Sequence, residues 1–371
     1  MTNSIDDMLA YQIQAGHFPG ALVHVERGGT LASRRAAGFT GPDKGTPMHE
    51  DVLFRVASLT KPVVTVAALT LVDEGRLSLD APVAEFLPAF AKPRMKSGAA
   101  PARAATVRDL MRHTSGLAYA WEVQDAELRE AFLKSRVANL PGIEASAFVA
   151  ELAALPLVAE PGTTFRYGYS TDVLGCIIEK ADGVPLRDSL QRRVFGPLVM
   201  QHTGFEVPPT QQGLLATAHD SDTAWQGTVT KLGIRRPGEA WMDSGGGGLV
   251  STIGDYAAFA RMLANRGRVG EQRLLSVNSL AEMCRNQLPQ GADGPAAYCG
   301  PGFGFGLGMA VRLDWGPAAM PCAAGEMVWS GISGTAMFVH PAEQWFALMF
   351  SCNMVSRMIV RMEFRRSAGR L

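Results

Sequence analysis

The stretch that most constrains the fold runs from Phe54 to Gly75, FRVASLTKPVVTVAALTLVDEG. Its second half has helical length, and Val63, Val64, Val66, Ala67, Ala68, Leu69, Leu71 and Val72 occupy almost the whole circumference of that helix. A helix of this kind in a globular chain is covered on every side, and Gly75 supplies a left-handed stop. The chain must therefore wrap further layers around it, which 371 residues can do as one large domain or two ordinary ones. At the head of the helix, Ser58 and Lys61 stand three positions apart.

Composition narrows the function. Lysine plus arginine equals aspartate plus glutamate at 35 each, so no net field draws in phosphate backbones or anionic lipid. Neither nucleic acid nor a membrane is an expected partner. Five cysteines, at 176, 284, 299, 322 and 352, are odd in number and form no C-x-x-C pair, which argues against a disulfide framework and a thiolate zinc site. The opening MTNSIDDMLAYQIQAG reads as an amphipathic helix without the basic head of a signal peptide. A reducing, cytoplasmic setting is expected.

Along the chain, GALVHVERGG and LASRRAAG form a hairpin pattern. From about residue 80 to 235, helical patterns such as TVRDLMRHTSG, DAELREAFLKSRVANL and SAFVAELAAL alternate with Pro- and Gly-bearing loops. Two further helices, GDYAAFARMLANRG and SVNSLAEMCRNQ, precede strands predicted in FGFGLGMAVRLD, EMVWSGISGTAMFVH and QWFALMFSC, the last two joined as a hairpin across PAEQ. The expected class is α+β: an antiparallel sheet built from N- and C-terminal segments, flanked by helices, with an inserted mostly helical lobe. The sheet-bearing lobe would hold about 1–79 and 236–371 and the helical lobe about 80–235, both within a single domain spanning 1–371.

The S-x-x-K of Ser58 and Lys61 is weak alone, since a chain this long holds about one by chance. In the plainer reading Ser58 caps the helix and Lys61 is a solvated first-turn cation. Against it, a first-turn lysine opposes the helix dipole, and an enclosed helix offers it little water. Three-residue spacing puts both side chains on one face, where a desolvated amine can take a proton from a hydroxyl. Pro62 disfavours helical geometry at Lys61, but its missing N–H costs nothing in a first turn.

EPGTTFRYGYSTDVLGCIIEK places Tyr167 and Tyr169 before a helix starting near Ser170; such aromatics are usually core, though a tyrosine beside an ammonium can relay a proton. VWSGISGT carries Trp329 and glycines that allow close approach to a strand N–H, the donor an oxyanion needs. GISG is not a G-x-S-x-G elbow, so Ser333 is a poor rival nucleophile. SGGGG (Ser244 to Gly248) and GFGFGLG (Gly302 to Gly308) lack the contexts of phosphate and dinucleotide loops, and read as tight packing or loop closure. The histidines at 17, 24, 49, 113, 202, 219 and 340 show no i, i+4 pair, so no metal and no cofactor are expected. His113 is the best histidine for a Ser-His-Asp triad, although RHTSGL also reads as a helix end stopped by Gly116.

In this order the segments resemble the serine β-lactamase and penicillin-binding-protein superfamily, specifically the class C β-lactamase-like esterases called family VIII carboxylesterases. FRVASLTKPV, LVDEGRLSLDAPVAEFLP, TVRDLMRHTSGL, EPGTTFRYGYSTDVLG, SGGGGLVSTIGDYAAFARML and FGFGLG carry the likeness over nearly the whole length. The resemblance implies that Ser58 is acylated, that Lys61 helps deprotonate it, and that Tyr167 matches the tyrosine of Y-x-N, with Tyr169 where asparagine is common. It implies an oxyanion hole from the N–H groups of Ser58 and Ile332, and a substrate pocket including Tyr119, Tyr169, Trp329, Ser330 and Gly331. WSGI stands where K-T-G is usual. Losing that lysine removes a charge-assisted carboxylate contact worth roughly 1.5 to 3 kcal/mol, so an uncharged small-molecule ester of short or medium acyl chain is the expected substrate. The alternatives are a β-lactamase or D-amino-acid peptidase or amidase, an acyltransferase using the same acyl-enzyme, and, least expected, a non-catalytic binding module. Oligomeric state and the ending MIVRMEFRRSAGRL are left unread.

Overall fold

The architecture is that of a computed structural model, which describes residues 4–140, 142–229, 241–314, 316 and 320–371. The terminal segments build one seven-stranded sheet. In chain order its strands are β1 (Gly20–Arg27), β2 (Thr30–Gly38), β3 (Phe303–Phe305), β4 (Ala310–Arg312), β5 (Met327–Ser330), β6 (Ala336–His340) and β7 (Trp345–Ser351). Across the sheet they run β2-β1-β7-β6-β5-β4-β3, every neighbour antiparallel. The two ends of the chain meet where β1 pairs with β7, from Ala21 opposite Ser351 to Arg27 opposite Trp345. Both strands are buried on both faces up to Glu26 and throughout β7, which is why they read as apolar runs without strict alternation.

Alternation of side chains assigns the covering helices. Phe338 of β6 pairs with Ala347, and its ring meets Phe364 of the C-terminal helix α5, which with its predecessors in chain order α1 (Ile5–Gln14), α2 (Thr60–Asp73), α3 (Ser170–Asp182) and α4 (Ile253–Ala264) makes the helices that matter here; α5 spans Arg357–Ala368. Phe350 lies on the opposite face, where its ring meets Tyr256 of α4. Helix α5 also packs beside α1, and Glu326, fully buried, receives two parallel hydrogen bonds of 2.7 Å from Arg365. The unread ending is therefore a structural helix. Its Val360, Phe364 and Ala368 recur every four residues and are buried.

Two predicted strands are each divided. FGFGLGMAVRLD is the antiparallel pair β3 and β4, turning at Gly308 with φ 77°. EMVWSGISGTAMFVH is β5 and β6, paired from Val339 opposite Met327 to Ala336 opposite Ser330, with Gly334 at φ 109° in the turn. In both, glycine adopts the left-handed backbone that reverses the chain. Between the sheet segments lie mainly helices, and α2 is enclosed as its sequence requires, with Thr60 through Leu71 all buried. It packs against α3. The expected end of the helical lobe near residue 235 falls outside the described residues. Among the described residues no helix is long and apolar enough to cross a membrane.

TVRDLMRHTSG forms only one and a half turns, Val107–Met111, fixed by a capping box between Thr106 and Asp109. Asp109 is fully buried and accepts from Arg103 at 2.6 and 3.0 Å, Arg112 at 2.9 Å and Thr114 at 2.8 Å. Burial pushes its carboxyl up, but the bonds from Arg103, the Thr106 backbone, Arg112 and Thr114 win and hold it at about 2. Its stabilising contribution is present above about pH 4, the unfolded value, and is lost as pH falls through about 2. Asp109→Asn is expected to lower unfolding free energy by about 3 kcal/mol at neutral pH, because two guanidinium groups lose their counter-charge. Urea melts at pH 7 and pH 3 check this: the gap between variant and wild type should shrink in acid.

Candidate active site

A two-residue bridge, Phe54–Arg55 paired with Val250–Ser251, leads into a 3-10 turn at Ala57–Leu59 and then into α2. Ser58 therefore sits on the turn before the helix and makes no capping bond. Ala57 is held at φ 47°, a left-handed conformation costing a non-glycine residue roughly 1–2 kcal/mol and typical of chain segments whose geometry serves a site. Lys61 and Pro62 are the second and third residues of α2, so the proline ring breaks no helical bond.

Lys61 is fully buried. Its Nζ donates to the Gly246 carbonyl at 2.7 Å, to Ser58 Oγ at 3.3 Å and to Tyr119 Oη at 3.3 Å. A neutral amine meets the same three groups with two N–H donors and one lone pair, and the lone pair can face the Ser58 hydroxyl. Tyr167 Oη donates to Ser58 Oγ at 2.7 Å, and the amine lies 4.6 Å from the Tyr167 ring centroid. The structure thus brings Ser58, Lys61, Tyr167 and Tyr119 together.

SGGGG proves to be part of this arrangement. A side chain on Gly246 would come within 2.3 Å of Asp172 Oδ2, and one on Gly245 within 2.5 Å of the Thr171 carbonyl, so the loop lies directly on α3. Asp172 Oδ1 accepts from Ser244 at 2.6 Å and from the Gly246 N–H at 3.0 Å. The carboxylate thereby holds one side of the residue whose carbonyl holds Lys61. Burial raises its pKa, opposed by the Lys61 charge and these two bonds. Asp172 is not singled out by the sequence, whose only signal there is an acid inside the otherwise buried face of STDVLGCII, and Gly246 enters only as part of SGGGG, read as tight packing or loop closure.

Tyr169 points elsewhere. Its hydroxyl donates to the Val137 carbonyl at 3.1 Å, and its ring meets Tyr119 edge-on at 4.6 Å. It backs the tyrosine that touches Lys61, and burial followed by the Asp172 charge keeps its hydroxyl protonated. Tyr119 is likewise pushed well above its ordinary value, by burial first and then Asp172. Trp121 stacks on it at 4.4 Å and is 65% exposed, so an aromatic face runs from the lysine to the surface. Trp329 is buried, packed edge-on to Tyr167 at 5.4 Å and Phe305 at 5.3 Å. His113 also packs on Tyr167, at 4.9 Å, but neither ring nitrogen has a partner among the described residues. Burial and then the Lys61 charge drive its pKa well down. A neutral, unbonded imidazole orients no nucleophile, so the triad alternative has no geometry to support it.

The WSGI segment is laced to the turn carrying Ser58. Ser333 Oγ donates to the Arg55 carbonyl at 2.6 Å and Thr335 Oγ1 to the Val56 carbonyl at 3.1 Å. Gly331 must be glycine, since a Cβ there would lie 2.3 Å from the Val56 carbonyl. Ser330 is half-buried at the end of β5, and Ile332 is half-buried in the turn. Among the described residues no acceptor is found for the backbone N–H of Ser58 or of Ile332. A hydroxyl between an amine and a phenol, beside two free N–H donors, suits nucleophilic acyl transfer. All five cysteines are unpaired and their thiols are shielded, those of Cys176, Cys284, Cys299, Cys322 and Cys352 all being pushed up by burial. Among the described residues no group of three or more His, Cys, Asp or Glu can hold a metal ion.

Comparison with known proteins gives the family of the chain. The family model described as Beta-lactamase matches residues 5–367. Esterase EstB of Burkholderia gladioli is 33% identical over 360 residues, covering 91% of this chain and 87% of the esterase. Acyltransferase calJ of Penicillium decumbens is 29% identical over 336 residues, covering 82% of this chain and 77% of that protein. Among solved structures, EstCE1, described as a hydrolase with promiscuous acyltransferase activity, superposes with a TM-score of 0.82 at 26% identity, covering 98% of this chain and 97% of EstCE1.

Proposed function

The chain belongs to the Beta-lactamase family and is a serine hydrolase of the esterase type, and from that premise we propose that it cleaves uncharged carboxylic esters of short or medium acyl chain through an acyl-enzyme on Ser58. One observation carries the reading: Ser58 Oγ lies 2.7 Å from Tyr167 Oη and 3.3 Å from a fully buried Lys61 Nζ. Ser58 Oγ adds to the ester carbonyl carbon while its proton passes to the lone pair of Lys61 Nζ, which enters the reaction as the neutral amine and returns a proton to Tyr167 once that phenol has protonated the leaving group. The carbonyl oxygen becomes an oxyanion between the N–H groups of Ser58 and Ile332. Collapse breaks the bond to the alkoxy oxygen, which leaves as the alcohol with a proton from Tyr167. Water then repeats the addition, giving its proton to the same pair, and the acid departs as the Ser58 hydroxyl is restored.

Trp329 in place of the K-T-G lysine and the aromatic face of Tyr119 and Trp121 support an uncharged, apolar substrate. The unpaired cysteines support a cytoplasmic setting. Acyl transfer to a second alcohol is the reading favoured next, because the calJ and EstCE1 matches include that activity in their names. The test is a panel of p-nitrophenyl acetate, butyrate and octanoate, a chromogenic cephalosporin, and butyrate with added acceptor alcohol. Short esters should exceed the cephalosporin in kcat/KM by about 100-fold, in line with the lost charged contact. A cephalosporin preferred over every ester overturns the proposal, and ester product with the alcohol marks transferase activity. Tyr167→Phe should lower kcat on butyrate by roughly 100- to 10,000-fold, with intact-mass analysis reporting whether acylation or deacylation slows.

A further inference from the structure

The peptide between Gly331 and Ile332 has an uncommon partner on its carbonyl side. The described chain contains no cis peptide bond, so the Gly331 carbonyl and the Ile332 N–H point in opposite directions from one rigid plane. Whatever fixes the first aims the second. The Gly331 carbonyl accepts the Gly334 N–H at 3.2 Å, closing the turn, and also an Nη2–H of Arg361 from α5.

Arg361 is 5% exposed. Among the described residues its other contact is the Met358 sulfur at 3.6 Å, its Nε has no partner, and no carboxylate lies within ion-pair distance. Arg365, one turn later on the same helix, shows what a structural arginine looks like here: two hydrogen bonds to the buried Glu326 carboxylate. Leaving Arg361 without such a partner is costly. Burial first, and then the neighbouring Arg357 charge, pull its pKa below the ordinary value, whereas that of Arg365 is raised by Glu326 against its own burial. A guanidinium needed only to fasten α5 gains nothing from this arrangement.

We propose that Arg361 is a positioning residue for the oxyanion hole, its guanidinium holding and polarising the Gly331–Ile332 peptide so that the Ile332 N–H faces the developing oxyanion. The inference rests on the acyl-transfer reading above. In a site shielded from water, hydrogen bonds in series strengthen one another, so a cation on the carbonyl makes the N–H on the far side a better donor. The oxyanion exists only after Ser58 has attacked, so the gain falls on the transition state and not on substrate binding.

The test compares Arg361→Met, Arg361→Gln and Arg361→Lys in the full chain. Each is measured for kcat and KM on p-nitrophenyl butyrate, for the rate of inactivation by a fluorophosphonate, and for thermal unfolding. Arg361→Met is expected to lower kcat about 10- to 100-fold with KM within about two-fold, and the inactivation rate should fall in parallel. Lysine, which keeps the charge, should recover more than glutamine, which keeps only a neutral donor. Equal activity of the glutamine and lysine variants overturns the proposal, as does a methionine variant whose melting temperature falls while kcat stays at the wild-type value. Should the methionine variant fail to fold, glutamine against lysine still decides. A wild-type chain that neither turns over butyrate nor is labelled at Ser58 defeats the acyl-transfer reading itself; an active wild type beside an equally active Arg361→Met defeats the positioning role alone.

Discussion

Ser58→Ala is expected to lose ester turnover by roughly 10,000-fold or more and to lose covalent labelling by a fluorophosphonate entirely, while keeping its fold. The loss is this large because neither Ser333 nor Ser115 can take over. Ser333 is buried with its proton on the Arg55 carbonyl, and Ser115 is buried against Ser170. What remains is binding plus the two backbone donors, which act on an attacking water without a base aligned to it. Stability should change by about 1–2 kcal/mol, the net worth of the two hydrogen bonds from Lys61 and Tyr167, since Ser58 caps no helix and is only half-buried. Intact-mass analysis after incubation with a slow ester reads the result directly. A labelled or acylated Ser58→Ala protein places the nucleophile elsewhere.

The sequence displayed the parts of the site that rest on local pattern and concealed those that rest on long-range packing. Ser58 and Lys61 are three residues apart on one helical turn, so their contact at 3.3 Å follows from helix geometry alone. The enclosure of α2 was legible for the same reason, in an apolar surface with no polar side. Tyr167 is 109 residues from Ser58, and no periodicity links them; only the resemblance placed it. The roles of Asp172 and Gly246 escaped because they pass through a backbone carbonyl, whose position depends on tertiary structure and on no side-chain type. Glycines misled the strand reading in FGFGLGMAVRLD and EMVWSGISGTAMFVH. Their neighbours have strand propensity, but left-handed values at Gly308 and Gly334 turn the chain back and make two strands of each run. Arg361 belonged to a tail with a clear four-residue apolar spacing, yet nothing in the residues near it shows that its partner is a carbonyl 30 positions upstream.

Lys61→Met is the second large effect, an expected fall in kcat of about 1,000-fold or more. Methionine matches the unbranched stem and fills the buried volume, so the change isolates the amine. Three groups lose their contact with the amine, Ser58 Oγ, Tyr119 Oη and the Gly246 carbonyl, although Ser58 Oγ keeps the Tyr167 hydroxyl. The hydroxyls can turn to other partners, but the buried carbonyl cannot, which costs about 1–3 kcal/mol of stability. Asp172 also loses the cation that most opposes its burial, so its carboxyl should shift further up. Adding Asp172→Asn to Lys61→Met removes that unpaired charge while an amide oxygen still accepts from Ser244 and Gly246. The double variant should therefore regain thermal stability and stay inactive, separating the amine's structural part from its chemical one. Measured acylation by a fluorophosphonate at the wild-type rate in Lys61→Met would assign proton removal to Tyr167 alone, and the buried lysine would then serve only to hold Gly246 against Asp172.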